Sequence, residues 1–307
     1  MEWVKKGLIR GVVENIPWAQ SHAQVPTLLI YKDRLRVYFA TRPQANITLT
    51  TFCDLDLNDF TKVIYIHDRP ILELGKSGTF DQYGIMPSSI VVHDNVIYLY
   101  YSGWCRSVGV PYSNYTGLAQ SLDGGITFKK VYDGPILDRT QVELFSATSP
   151  EVYYDGNWHM WYCSGTNWHE VNGEFEHTYD LKYASSSDGI SWQQKNQTCI
   201  FQENEFEAIT KPSVLKLGNK YHMWYCYRSS FNFRNGEGAY KIGYADSDDL
   251  VQWRRKDFLA GISLSESGWD SEMNAYPATI RIGNNIYLFY NGNSFGKFGF
   301  GYAQLKF

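Results

Sequence analysis

The chain reads as an all-β protein, a five-bladed β-propeller built from four-stranded antiparallel blades. Three observations predict this. Strands opened by proline recur five times, at Pro26, Pro87, Pro150, Pro212 and Pro277, spaced 61, 63, 62 and 65 residues apart. Each is followed by a turn signal and a run rich in aromatic and β-branched residues, as strands prefer. Helical amphipathic periodicity is nearly absent.

The first strand of each unit begins at its proline, as in "PTLLI" and "PSSIV". Proline is tolerated there because the first residue of a strand owes the ladder no N–H. Second strands are "RLRVYFATR" (34–42), "NVIYLYYSG" (95–103), "NWHMWYCSG" (157–165), "KYHMWYCYR" (220–228) and "NIYLFYNGN" (285–293). Third strands follow, such as "DLKYASSSDGISW", and then fourth strands, such as "FKKVYDGPIL", "WQQKNQTCIF" and "WRRKDFLAGI". The fifth unit reaches Phe307 after its third strand, in "FGFGYAQLKF". "WVKKGLIRG" at 3–11 has the shape of a fourth strand, so it is expected to supply the outer strand of the last blade and close the ring. Residues 1–307 then form a single domain. The connections 104–116, 165–180 and 228–240 are expected as loops on one face.

Composition narrows the function classes. Aromatic residues make up 17%, including 24 Tyr and 10 Trp, which suits both strands and sugar-stacking surfaces. The net charge is −4 and the Lys and Arg residues are scattered, which leaves no basic face for nucleic acid. The N-terminus has no apolar signal-peptide core, and no run of about 18 apolar residues predicts a membrane span. Five cysteines, at 53, 105, 163, 199 and 226, lack the spacing of a disulfide framework or a zinc site. Cys163 and Cys226 occupy matching strand positions and read as small buried hydrophobes. A cytoplasmic location is the expectation, with no cofactor and no metal. "SLDGG" and "SSDGI" resemble calcium loops, but they recur at the turns after the third strands and read as structural.

In a propeller the first strands line the central channel, so residues at their starts converge on one mouth. The acids approaching it are Asp81, Glu143, Glu151, Glu207, Asp270 and Glu272, joined by His22, Gln24 and Lys211. Glycoside cleavage by two carboxyls needs one protonated and one ionised. Asp81, in "GTFDQYG", is the candidate base or nucleophile. Glu272, in "GWDSEMNAYP", is the candidate acid, and Glu207 a further catalytic candidate placed to orient Lys211. Asp270 and Glu272 stand two apart, so an extended segment would put both on one side, with Trp269 and Tyr276 limiting water. Arg42, Lys211 and Arg228, if they converge, would hold a carboxylate or phosphate. Trp104, Trp168 and Trp269 are candidate sugar-stacking aromatics, and Glu151 and Tyr276 complete the substrate-binding set.

This arrangement, with "FDQYGIMPSS", "WDSEMNAYP" and "YNGNSFGKFGFGYA", resembles the glycoside hydrolase superfamily of arabinanases, levansucrases and invertases. The likeness is to family 43 above all, and more distantly to the family 130 mannoside phosphorylases. It covers the whole chain as architecture and implies a carbohydrate substrate, with a role in bacterial polysaccharide metabolism. The family's motif departs here: Val25 stands where a base Asp would precede the first-blade proline, and Ser88 where a second Asp would follow the next. Glu143 or Glu151 matches the third-blade acid. The resemblance therefore implies glycoside hydrolysis with a relocated acid set. Its alternatives are phosphorolysis or glycosyl transfer, with Arg42, Lys211 and Arg228 holding phosphate, and a non-catalytic sugar-binding propeller.

Overall fold

The structure, a computed structural model, describes residues 1–234 and 236–306. Asn235, within the 228–240 connection, and Phe307, expected at the end of the final strand, lie outside the described residues.

Strand β1 (Glu2–Leu8) precedes a first antiparallel group, β2 (Ser21–Tyr31), β3 (Arg34–Arg42), β4 (Leu49–Asp56) and β5 (Asp59–Ile66). The second group is β6 (Gly84–His93), β7 (Val96–Arg106), β8 (Tyr112–Ser121) and β9 (Lys129–Lys130). The third is β10 (Ala147–Tyr154), β11 (Trp158–Val171), β12 (Glu174–Ser186) and β13 (Gln193–Ile200). The fourth is β14 (Glu207–Leu217), β15 (Lys220–Ser229), β16 (Lys241–Ser247) and β17 (Trp253–Arg255). Finally β18 (Ala275–Ile282), β19 (Asn285–Asn291) and β20 (Phe300–Lys306) pair in order, and β1 adds antiparallel to β20, with Glu2 opposite Lys306. Single parallel bridges, Ala147 to Tyr115 and Ala208 to Tyr179, join the second to fourth groups into one continuous twelve-stranded sheet.

The first strands neighbour one another in a cycle: β2, β6, β10, β14, β18 and back to β2. Apolar clusters fill the space between consecutive groups. Tyr38 and Phe52 meet Tyr101; Tyr100 and Leu118 meet Met160; Trp161 and Leu181 meet Met223; Trp224 and Tyr244 meet Leu288. Phe39 and Cys53 meet Phe289 and Phe300 across the junction of last and first groups. Each large side chain buried in this way contributes about 1.5–3 kcal/mol. The fold is all-β, of the propeller kind.

Each first strand carries a register slip at its proline: between Gln24 and Thr27, Pro87 and Ser89, Thr148 and Glu151, Thr210 and Ser213, and Ala275 and Ala278. In four of the five, the residue before proline is left-handed, with φ of +55° at Val25, +49° at Ser149, +50° at Lys211 and +54° at Tyr276. That conformation is uncommon for a side-chain-bearing residue and costs about 1–3 kcal/mol each. Such a bulge re-aims side chains out of the strand's alternation. The N–H groups displaced from the ladder find partners on the preceding group's second strand. Val25 N donates to Asn291 Oδ1 at 2.8 Å, Ser149 N to Ser102 Oγ at 2.9 Å and Tyr276 N to Cys226 Sγ at 3.4 Å.

Two expectations are corrected and one is supported. The 165–180 connection is largely an extension of the β11–β12 hairpin, paired out to Val171 and Glu174, not a loop. The fourth strands at 128–137 and 253–262 shrink to two and three residues, the latter giving way to a 3-10 turn at Asp257–Leu259. The turn carboxylates Asp123, Asp188 and Asp249 accept backbone N–H groups of their own turns, at Thr127, Ile190 and Val251 among others, which supports the structural reading of "SLDGG" and "SSDGI".

Candidate active site at the ring of first strands

Most of the acids chosen from sequence are held inside the sheets. Asp81 is fully buried; its Oδ2 accepts the Tyr101 hydroxyl at 3.0 Å and pairs with Lys130 Nζ at 2.5 Å, while Oδ1 takes the Thr79 hydroxyl at 3.1 Å. Asp270 repeats the pattern with Tyr290 at 2.8 Å and Lys5 at 2.6 Å. Glu207 accepts both forks of Arg255, at 2.7 and 2.8 Å, and Asp257 accepts the Tyr225 hydroxyl beside it. Glu207 therefore does not orient Lys211. Asp81, Asp270 and Asp257 each fasten a second-strand tyrosine to a cation of a fourth strand, and Glu207 clasps the same Arg255 as Asp257.

The signal for this was periodic and was missed. Lys5, Lys130 and Arg255 each stand two residues after the aromatic that opens a fourth strand, Trp3, Phe128 and Trp253. The third group has Gln194 at that place after Trp192. There Glu143 takes the Tyr162 hydroxyl at 3.0 and 2.8 Å and the Ser164 hydroxyl at 3.0 Å, with no ion pair among the described residues. Asp180, in the same interior, has its carboxyl pushed up to about 6 by burial, against the pull of Lys182 and the Thr198 hydroxyl.

The opening stretch of the fifth unit also folds differently from expectation. Residues 266–272 are turns and bends, so the strand alternation does not apply, and Asp270 is buried while Glu272 is exposed. The two carboxyls do not share a face, and water reaches Glu272. The Glu272 N–H is held by Asn293 Oδ1 at 2.8 Å. Trp269 packs over Gly292 and Gly301 and against Tyr290, and Trp104 stacks on Tyr83 above Gly84, so both act in packing.

What the bulges do bring together is a cationic, aromatic recess. Tyr276 is partly exposed, and burial pushes its phenol up while the charges of Arg228 and Arg42 pull it back. Arg42 donates to Gln24 Oε1 at 3.3 Å, and burial lowers its pKa. His22 is taken down to about 4 by burial and by the charges of Arg42 and Lys297. Lys211 is almost fully buried, which lowers its pKa; its Nζ donates to the Pro212 carbonyl at 3.3 Å and lies 4.0 Å from Glu151 Oε2. Burial raises the Glu151 carboxyl, with Lys211 and the Val214 N–H, at 3.2 Å, opposing it.

Arg228 forms the deepest part. Its guanidinium donates to the Ser229 and His177 carbonyls, each at 3.0 Å, and lies 3.7 Å from the Phe233 ring, with Tyr179 and Tyr240 at 5.8 and 5.7 Å. No carboxylate pairs with it among the described residues. His177 stacks on Trp168 with centroids 4.1 Å apart, and both ring nitrogens are buried without a partner. Burial and the Arg228 charge take its pKa down to about 3, so the ring is neutral at physiological pH. Sequence reasoning missed His177 and Tyr179, two apart on β12, and Phe233 and Tyr240 in the connection after β15, which share no local motif.

Ser88, where the superfamily's second Asp was expected, has a buried hydroxyl without a partner, as does Thr148 beside the third proline. Of the three cations named from sequence, Lys211 lies beside Glu151, while Arg42 and Arg228 pair with no carboxylate among the described residues. A surface recess of about 500 Å³ lies apart, along β5 near Arg10 and Tyr65, and one of about 220 Å³ is lined by Glu203, Glu207, Glu237 and Arg228. Neither holds Arg42, Lys211 or Glu151.

This fold is the one seen in glycoside hydrolase structures. A glycoside hydrolase superimposes with a TM-score of 0.75 at 17% identity, covering 99% of this chain and 92% of the other. A thermostable family-43 glycoside hydrolase gives 0.67 at 17%, covering 97% and 93%. A structure reported for the family 130 mannoside phosphorylases, among them hydrolases of β-1,2-mannosidic linkages, gives 0.70 at 14%, covering 99% and 94%. No family model matches the chain. At the level of sequence, it belongs to the family of two uncharacterized proteins from strains of Mycobacterium tuberculosis, each 32% identical over 309 aligned residues that span all of both chains. A β-1,2-mannobiose phosphorylase of Thermoanaerobacter is 30% identical over 111 residues, 34% of this chain and 35% of its own.

Proposed function

We propose that the chain is a carbohydrate-active enzyme, a single-domain five-bladed propeller closed by β1, that cleaves or transfers a glycosidic bond at the ring of first strands. A reducing compartment such as the cytoplasm fits its free cysteines. The observation that carries the reading is Glu151: a carboxyl at the ring, raised by burial and 4.0 Å from a buried lysine. A carboxyl whose proton affinity burial raises is suited to deliver a proton to a leaving oxygen. Hydrolysis by paired carboxyls needs a second, ionised one, and Asp81, Glu207 and Asp270 are engaged within the sheets. Bacterial polysaccharide is the substrate class that the resemblance favours.

A second reading, phosphorolysis, is favoured by Arg42, which is partly exposed and has no carboxylate partner among the described residues, and by the likeness of a third of the chain to a mannobiose phosphorylase. The test is to incubate the full chain with a panel of glycosides, with and without phosphate, and to follow free sugar and sugar phosphate. Glu151→Gln is expected to lose at least about 100-fold in turnover with binding retained. Free sugar formed without phosphate means hydrolysis, and sugar phosphate means phosphorolysis. Binding without turnover assigns a non-catalytic propeller, and wild-type turnover in Glu151→Gln removes it as the acid.

A further inference from the structure

The Arg228 recess has a feature that glycosidic chemistry does not account for. A guanidinium is always charged, and burying it without a counter-charge costs several kcal/mol. Arg228 is 4% exposed and spends its donors on two carbonyls and a tyrosine hydroxyl, not on a carboxylate. His177, 2% exposed, sits beside it with both nitrogens unsatisfied, although a buried polar atom normally has a partner. A neutral imidazole has one N–H to donate. The walls are aromatic: Tyr179, Tyr240, Phe233 and Trp168, the last in the β11–β12 extension.

We infer that this cage receives an anionic group covalently carried by the sugar, a carboxylate or a phosphate ester, with Arg228 as its counter-charge and His177 as a donor. The inference rests on the proposed carbohydrate reading and adds the chemical class of the substrate. An anion fits because the recess supplies positive charge and a free donor. A group attached to a sugar fits because the surrounding faces are aromatic, and a pyranose ring buries its C–H face on such surfaces. The Glu176–Arg234 ion pair, at 2.5 Å, links the β11–β12 extension to the 228–240 connection over the same region, which holds the walls in place.

The experiment measures binding to the full chain by calorimetry at fixed ionic strength. Galacturonate and glucuronate are compared with galactose and glucose, hexose 1- and 6-phosphates with the same parents, and inorganic phosphate is run alone. At least one charged sugar is expected to bind tenfold or more tightly than its neutral parent. Arg228→Gln and His177→Phe, the latter keeping the stack on Trp168, are each expected to abolish that preference. Which charged sugar wins tells carboxylate from phosphate ester. If Arg228→Gln does not fold, the comparison of charged and neutral sugars on the wild type still decides. Equal binding of charged and neutral sugars overturns the inference and leaves the carbohydrate reading standing. Binding of inorganic phosphate alone assigns the cage to a free anion and overturns it. Absence of any sugar binding removes both.

Discussion

Asp81 illustrates how a carboxylate in an attractive position becomes structural. Its two oxygens are taken by Lys130, Tyr101 and Thr79, and none of its surface is exposed. Removing one partner of a buried pair leaves the other charge uncompensated, which costs about 3–5 kcal/mol. Asp81→Ala is therefore expected to destabilise by roughly that amount in urea denaturation, with Lys130→Met restoring part of the loss in the double variant. A wild-type midpoint in the single variant would return Asp81 to the list of reactive candidates. Asp180 acts in the opposite sense. Its folded pKa, about 6, lies above the ordinary 3.8, so the native state holds the proton more tightly. This contribution is fully present below about pH 4 and is lost as pH rises through 6. At pH 7.5 Asp180→Asn is expected to gain up to about 3 kcal/mol, at about 1.4 kcal/mol per pKa unit, and to flatten the pH dependence of melting between pH 4 and 6.

Among the elements, the junction of β19 with β2 depends on one side chain. Asn291, fully buried, accepts from Val25 N and donates to the carbonyls of Ala23 and Gly299, all at 2.8 Å. Replacing it by alanine leaves three buried polar groups of the last and first groups unpaired, at about 1–3 kcal/mol each. Asn291→Ala is expected to lower the melting temperature by at least about 5 °C, read by calorimetry; an unchanged transition would show the junction to be held by packing alone. The strand pattern was legible because proline and turn residues punctuate it at a nearly constant interval. The register slips and left-handed residues were not, because proline at a strand start is equally compatible with a regular ladder. Nor was the division between the fasteners and the open ring, since an Asp before a strand looks the same whether a lysine 49 residues later reaches it or not.

At the scale of the molecule, the sequence carried the all-β architecture and the pairing of the N-terminal segment with the final strand. The sequence offered Arg42 and Arg228 at second-strand ends and Lys211 at a first-strand start as groups that would act together if they converged; it did not offer the cage around Arg228, because its walls come from β12, the β11–β12 extension and the connection after β15. Deleting residues 1–8 would leave β20 with an unpaired edge and strip Trp3 from its edge contact with Trp224, 5.3 Å away. Such a variant is expected to melt well below the full chain and to lose ligand binding on mild warming, both measured by scanning fluorimetry.

The pairing of β1 with β20 also sets a schedule. A ribosome makes β1 long before β20, so the earlier strand waits, with its hydrogen-bonding edge exposed, until the other four groups have emerged. Folding on the ribosome can stack the second, third and fourth groups as they appear, but the circle cannot shut before β20 has emerged. The exposed edge in that interval is an aggregation hazard, and the lysines at 5 and 6 lie within it. Joining the ends through a short linker and reopening the chain near residue 11 would let β1 and β20 be made together. That rearranged chain is expected to keep the native melting behaviour while giving a higher soluble yield on expression.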